Sequence, residues 1–390
     1  MKIIHINTTD KKGGAAIVAW NLKKELEFNN HKVTMFVRWK YSKDKNVVHI
    51  PKNFGQDFLI YFFANDLKFS KSDWILQTKQ FKEADIIHCH NLHSNFFNLS
   101  TLIELSKIKP VVWTIHDLWP ITGGCTDSFS CRNLIKQHRL FYFLWDQTKY
   151  LKKGKKEIYS KCQNLNIVAP SNWMYQNLKR SVLKNHPLCS IPNGIDTKIF
   201  HKKSKTKSRN KLKLPTNKKI VLFVAVKRED KLKGWKYVKR ATNLFKQKNV
   251  IFLGIGSGSK NLKKSENILD REYIKDPAVL AEYFSSADLL LSPSLADSFN
   301  LVNLEAMACG LPVVAFNTDA IPEIVLHKKN GYIAKYQKLN DLTKGINYIL
   351  NMPDYQKRQF SNNCIVRVKT LYSLEKMTKN YLNLYEKLLK

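Results

Sequence analysis

The stretch SLADSFNLVNLEAMACGLPVVAFNTDAIPEIV, Ser294 to Val325, decides how the rest of the chain is read. It follows the apolar run DLLLSPS, and Gly310 stops its helical segment just before a second apolar run, LPVVAFN. The order strand, loop, helix, strand is a parallel α/β unit. Its acids are few and oddly set: Asp297 and Glu305 lie eight residues apart around an apolar run, and Glu323 follows Pro322. A helix N-terminus has unpaired N–H groups and the positive end of the helix dipole, which together favour a phosphate. Glu305, one or two turns into such a helix, can reach a ribose diol. Asp297, in the loop, lies near a sugar on the far phosphate. A plainer reading makes Asp297 a helix cap and Glu305 an ordinary helix residue, and spacing alone leaves both open.

Working outward, the same alternation fills both halves of the chain. KIIHIN is a short strand, TTDKKGGAA a turn with Gly13 and Gly14, AIVAWNLKKELEFNN a helix and HKVTMFV a strand. ADIIHCHN, PVVWTIHD and NIVAPSN each read as a buried strand ending in polar residues. The pattern restarts after a Lys-rich stretch with KIVLFVAV, KGWKYVKRATNLFKQ and NVIFLGIGSGS. Strands alternating with helices predict two Rossmann-like parallel-sheet domains facing across a cleft, with ligands beyond the carboxyl ends of the strands. The expected boundaries are 1–197 for an acceptor-side domain, 198–217 for a basic linker or loop and 218–372 for a nucleotide-sugar domain. Residues 373–390 form a C-terminal helix returning to the first domain, and the whole tail from Asp354 reads as helical and amphipathic.

Composition narrows the classes. The chain has 390 residues, enough for two cores, and is 44% hydrophobic. The longest apolar run, FLIYFFA (Phe58–Ala64), is about a third of the ~20 residues a membrane span needs. The opening MKIIHINTTD reads as a strand and not as a signal peptide, so the expected location is the cytoplasm. Seven irregularly spaced cysteines argue for thiols, and Cys125 with Cys131 is poor zinc spacing. Lys and Arg number 66 against 31 Asp and Glu, a net charge of +35. Such a field draws polyanions. The densest runs are Lys149–Lys161 and His201–Lys219, which read as solvated faces or as a surface for acidic lipid headgroups. No Arg-rich reading helix or stacking sheet accompanies the charge, so no nucleic-acid partner is expected. The dinucleotide signature Gly-x-Gly-x-x-Gly is missing after the first strand, which excludes an oxidoreductase of that type.

The Ser294–Val325 run closely resembles the donor-site signature of retaining GT-B glycosyltransferases of the family 4 type: an acid, seven residues, Glu, then EAMACG-PVVA and IPE. GGAA, PVVWTIHDLWPITGGC, VAPSNWM, IPNGIDTKIF, the KG of DKLKGW and NGYIA resemble that family too. The WTIHDLWP run is similar to the bacterial subgroup that builds exopolysaccharide, capsule or lipopolysaccharide. The chain departs from the pattern at Asp297, where Glu is usual, at Ser298–Asn300, where GFG is usual, and at Asp319, where Gly is usual.

The resemblance implies transfer of a sugar from a nucleoside-diphosphate-sugar to a saccharide acceptor, often lipid-linked, with no metal and no cofactor. It implies that Lys233 and Arg228 (or Lys227 in its place) neutralise the leaving diphosphate, helped by the N–H groups of Leu301, Val302, Gly13 and Gly14. Glu305 would hold the ribose, while Asp297, Ser298, Phe299 and Asn300 face the donor sugar. His116 would contact the sugar, and Asp117 is an acceptor-side candidate. His88, His90 and His93 look like metal ligands but are read as acceptor-side or structural. The aromatic-rich segment Asn53–Phe69, with the Lys excess, suggests a peripheral place on the inner face of an anionic membrane. Alternatives are a GT-B epimerase or phosphorylase, or a basic non-catalytic binding protein.

Overall fold

Apolar runs bounded by polar turns become strands, and all of them pair in parallel. The computed structural model describes residues 1–51, 70, 72–132, 148–245, 249–258 and 267–390; the segment Asn53–Phe69 lies outside them. The chain divides into two compact units, Met1–Gly194 with Leu374–Lys390, and Ile195–Ser373.

In the first unit the strands are β1 (Lys2–Thr9), β2 (Lys32–Trp39), β3 (Val47–His49), β4 (Ile86–Cys89), β5 (Val111–Thr114), β6 (Leu165–Ala169) and β7 (Leu188–Ser190). They lie in the order β3-β2-β1-β4-β5-β6-β7. Successive strand residues point to opposite faces. Ile4 and Ile6, Ile87 and Cys89, and Val111 and Trp113 therefore fill one core with Leu102, Leu105 and Tyr159. The other face is polar where His5, His88, His90 and Thr114 sit, and all four are at most 1% exposed. The helix Leu374–Leu388 supplies partners to two of them. Tyr385 Oη lies 2.6 Å from His88 Nδ1, and Tyr381 Oη 2.8 Å from Thr114 Oγ1. Thr114 Oγ1 in turn lies 2.8 Å from His88 Nε2. The last helix, grouped with the first unit, is thus held there by polar bonds as well as by apolar burial.

In the second unit β8 (Lys219–Lys227), β9 (Val250–Ser257), β10 (Ile268–Arg271), β11 (Leu289–Ser292), β12 (Val313–Phe316) and β13 (Gly331–Ala334) lie in the order β10-β9-β8-β11-β12-β13. Leu222, Leu253, Leu290 and Val313 pack with Leu304 and Met307 of the helix Leu301–Ala308.

The stretch 198–217 is not a linker. It belongs to the second unit and carries the helix Lys205–Lys211. Arg209, 4% exposed, donates to the carbonyls of Ser286, Pro215, Thr216 and Lys218 and pairs with Asp288 at 2.9 Å. Ser208 donates to Glu282. Charge density hid one buried cation among the exposed lysines. The C-terminal tail is likewise two helices, Asp354–Leu371 in the second unit and Leu374–Leu388 in the first. Among the described residues no helix is long and apolar enough to cross a membrane.

Candidate functional site

In the second unit the polar residues collect where β11 runs into the helix Leu301–Ala308. The helix cap is Asn300, whose side chain accepts the Asn303 N–H at 3.0 Å. Asp297 is therefore not the cap but a hub. Its Oδ2 accepts from Lys233 Nζ at 2.7 Å and from Asn300 Nδ2 at 2.9 Å, and its Oδ1 accepts from Phe299 N–H at 3.3 Å. Its own N–H donates to Asp319 at 2.9 Å. Asp319 stands in the left-handed region, φ 45°, where the family pattern has glycine, and its carboxylate accepts the N–H of Asp297 from the neighbouring loop.

Lys233 is aimed by its neighbour. Gly234 has φ 75°, and a Cβ there would lie 1.9 Å from the Pro293 carbonyl oxygen. Only glycine lets the Lys233 turn press against the β11 loop, and a 2.7 Å bond from Leu295 N–H to Leu232 O closes the contact. Burial works against the Lys233 charge, but the Asp297 carboxylate outweighs it and the pKa is raised, so the ammonium is charged at neutral pH.

Glu305 is half-buried, one turn into the helix, and its carboxyl has no hydrogen-bond partner among the described residues. Burial alone pushes its carboxyl up to about 8. Leu301 and Val302, in the first turn, keep N–H groups that no bond uses among the described residues. Phe299 packs its ring against Tyr372 at 5.9 Å, and Ser298 is half-buried beside it.

Arg228 is not part of this network. It is 4% exposed and ion-paired with Asp270 of β10. A Cβ at Gly254 would come within 3.4 Å of its side chain, one at Gly256 within 3.2 Å and one at Gly258 within 3.5 Å. The alternating glycines of β9 thus form a trough for the Arg228 stem. The sequence reading assigned no role to these glycines or to Asp270. Lys227, the substitute, is exposed at the end of β8.

In the first unit Gly13, φ 95°, caps the helix Gly14–Phe28 by backbone alone, and no atom lies within 4 Å of where its Cβ would be. His116 follows β5 and is 8% exposed. Its Nε2 lies 3.0 Å from His90 Nδ1, and burial lowers its pKa to about 4. His93 Nε2 lies 2.9 Å from Asp117 Oδ2, and the other Asp117 oxygen accepts the Trp119 N–H. His5, His88 and His90 each offer a nitrogen within 4.8 Å of the others. Both nitrogens of His88 are already bonded, to Tyr385 and Thr114, so a cation there would have to break one of those bonds. The donor set fits a packed network better than a metal. All seven cysteines are free thiols.

Two parallel-sheet units, with a cation and an acid gathered at a helix tip in the second, define a GT-B architecture. Residues 12–199 match the family described as Glycosyltransferase Family 4, and residues 204–364 match Glycosyl transferases group 1. Nearly the whole chain is spanned by the two, and it belongs to the family 4 type of GT-B glycosyltransferases. It is 24% identical to an uncharacterized 41.2 kDa protein in the cps region of Klebsiella pneumoniae, over 98% of this chain and 100% of that one. Its fold is similar to sucrose-phosphate synthase from Thermosynechococcus elongatus, with TM-score 0.74 and 21% identity over 99% of this chain and 98% of that one. It is also similar to the Anabaena protein HepE solved with UDP and glucose, with TM-score 0.70 and 18% identity over the full length of both.

Proposed function

We propose that the chain moves a sugar from a nucleoside-diphosphate-sugar to a saccharide acceptor with the anomeric configuration retained. The observation that carries this reading is the second-unit cluster: a charged Lys233 held by Asp297 beside the helix whose first turn leads to the partnerless Glu305. A departing diphosphate needs positive charge already in place where its own charge develops. Lys233 and the Leu301 and Val302 N–H groups supply it without a metal. Glu305 has lone pairs that the protein leaves unmet, and ribose hydroxyls would meet them. Asp297, Ser298, Phe299 and Asn300 face the donor sugar. Arg228 reaches the diphosphate only by leaving Asp270. In the first unit Gly13 and Gly14 offer N–H groups to an anion, and His116 offers its ring to a sugar hydroxyl.

The cps-region relative supports a role in surface polysaccharide assembly, and with it a lipid-linked acceptor. The helix Thr148–Ser160 supports a peripheral place on an anionic inner membrane face. Lys149, Lys152, Lys153 and Lys156 are exposed on it, while Leu151, Ile158 and Tyr159 are buried. A panel of UDP-, GDP- and dTDP-sugars, scored first by thermal stabilisation and then by product NMR with EDTA present, tests the reading. The expected product keeps the donor's anomeric configuration and forms undiminished in EDTA. An inverted product, loss of turnover in EDTA, or epimerised donor with no transfer would each sink it.

A further inference from the structure

His90 has no part in the family pattern quoted above, yet its Nδ1 is hydrogen-bonded to Nε2 of the His116 ring. Its ring sits 5.3 Å from that of His116 at an interplanar angle of 19°. Its backbone is pinned: the carbonyl accepts Trp113 Nε1–H at 2.7 Å, and the N–H donates to Ile6 O at 2.9 Å. Its ring is pinned as well, 4.1 Å from His88 and 5.1 Å from His5. His90 therefore cannot turn without disturbing β1, β4 and β5.

Each neutral imidazole carries a single N–H, so a bond between two ring nitrogens has one donor and one acceptor. Burial lowers the pKa of both residues, which keeps both rings neutral. If His116 were the donor, His90 would carry its proton on Nε2. That atom is buried and has no hydrogen-bond partner. A buried N–H without an acceptor is costly and rare. If His90 donates from Nδ1, the orphaned atom is only a bare lone pair, the less costly defect.

We propose that His90 is a positioning residue that donates Nδ1–H to His116 Nε2 and so fixes His116 as the tautomer protonated on Nδ1. His116 then presents a neutral hydrogen-bond donor, not an acceptor, at the carboxyl end of β5. Such a group suits a sugar oxygen and adds no charge. That last consequence rests on the sugar-contacting role given to His116 above; the tautomer assignment does not.

The test is nitrogen NMR of the full chain, labelled with 15N-histidine and free of ligand, with the His116 signals assigned by their loss in His116→Asn. In the wild type, His116 should show a protonated Nδ1 and a bare Nε2. His90→Ala should release it to a mixture of tautomers. His90→Asn, whose amide nitrogen can sit where Nδ1 was, should restore the single form and so separate a specific donor from mere core filling. Transfer from the best donor of the nucleotide-sugar panel should fall about ten- to a hundredfold in kcat for His90→Ala and recover for His90→Asn. A wild-type His116 protonated on Nε2, or one whose tautomer is the same in His90→Ala, overturns the proposal. Transfer that survives His116→Asn, with the tautomers as stated, overturns the sugar contact and leaves the assignment standing.

Discussion

Glu305 is an acid that its burial holds protonated at neutral pH. Its carboxyl is pushed up to about 8 in the fold, while the unfolded chain gives it the ordinary value near 4.3. Between those values the folded protein holds a proton that the unfolded chain has lost, so stability falls as pH rises from about 4.3 to 8 and is flat above. Glu305→Gln should abolish this slope and melt higher than the wild type at pH 8, by a few degrees, in scans at pH 5 and pH 8 without ligand. Equal melting shifts for both proteins over that range would contradict the burial argument. The position of Glu305 was legible in the sequence as an acid in an apolar helix. The role of Asp319 was not, because its bond to the Asp297 N–H depends on a left-handed turn that no spacing encodes. The Arg228–Asp270 pair was hidden too, since it joins β10 to the end of β8 across a strand that lies between them in the sheet.

At the scale of elements, the helix Leu301–Ala308 and its loop act as one part. Asn300 both caps the helix and holds Asp297. Asn300→Ala should cost about 1 kcal/mol from the lost cap, read as a lower unfolding midpoint in denaturant, and should weaken nucleotide-sugar binding as well. A variant with unchanged stability would show that the cap is not what starts this helix. The last helix makes a different case. Tyr385→Phe leaves His88 Nδ1 buried and unmet, which should cost about 1–3 kcal/mol; an unchanged midpoint would mean that the His88 bond contributes nothing. Long strands and helices of both units were legible because their apolar periodicity is strong. Short edge strands such as β3 and β7, three residues each, carry too little pattern to be seen. The helix at 205–211 was hidden for another reason: the residues it buries, Ser208 and Arg209, are both polar.

At the scale of the whole molecule, the charge of +35 is the property the fold least explains. If it serves an acidic surface, each lysine near that surface adds about 1 kcal/mol at low salt, and the effect is screened within roughly 8 Å at physiological ionic strength. The protein should float with phosphatidylserine vesicles in 50 mM salt and release them in 0.5 M, while neutral vesicles recover none at either. Equal recovery with neutral vesicles would turn the charge into a compositional trait. The reading as a transferase depends instead on one grip: Lys233 and the helix tip on a diphosphate, Glu305 on the ribose. Calorimetry with UDP and with its 2′,3′-dideoxy analogue, or with the base the panel selects, measures that grip in wild type and in Glu305→Gln. Measured at pH 9, where the Glu305 carboxylate is ionised, the wild type should lose about ten- to a hundredfold in affinity when the hydroxyls are removed, and Glu305→Gln much less, since a bond to a charged group is worth about 1.5–3 kcal/mol. Equal losses in the two proteins would place Glu305 away from the nucleotide and contradict the account.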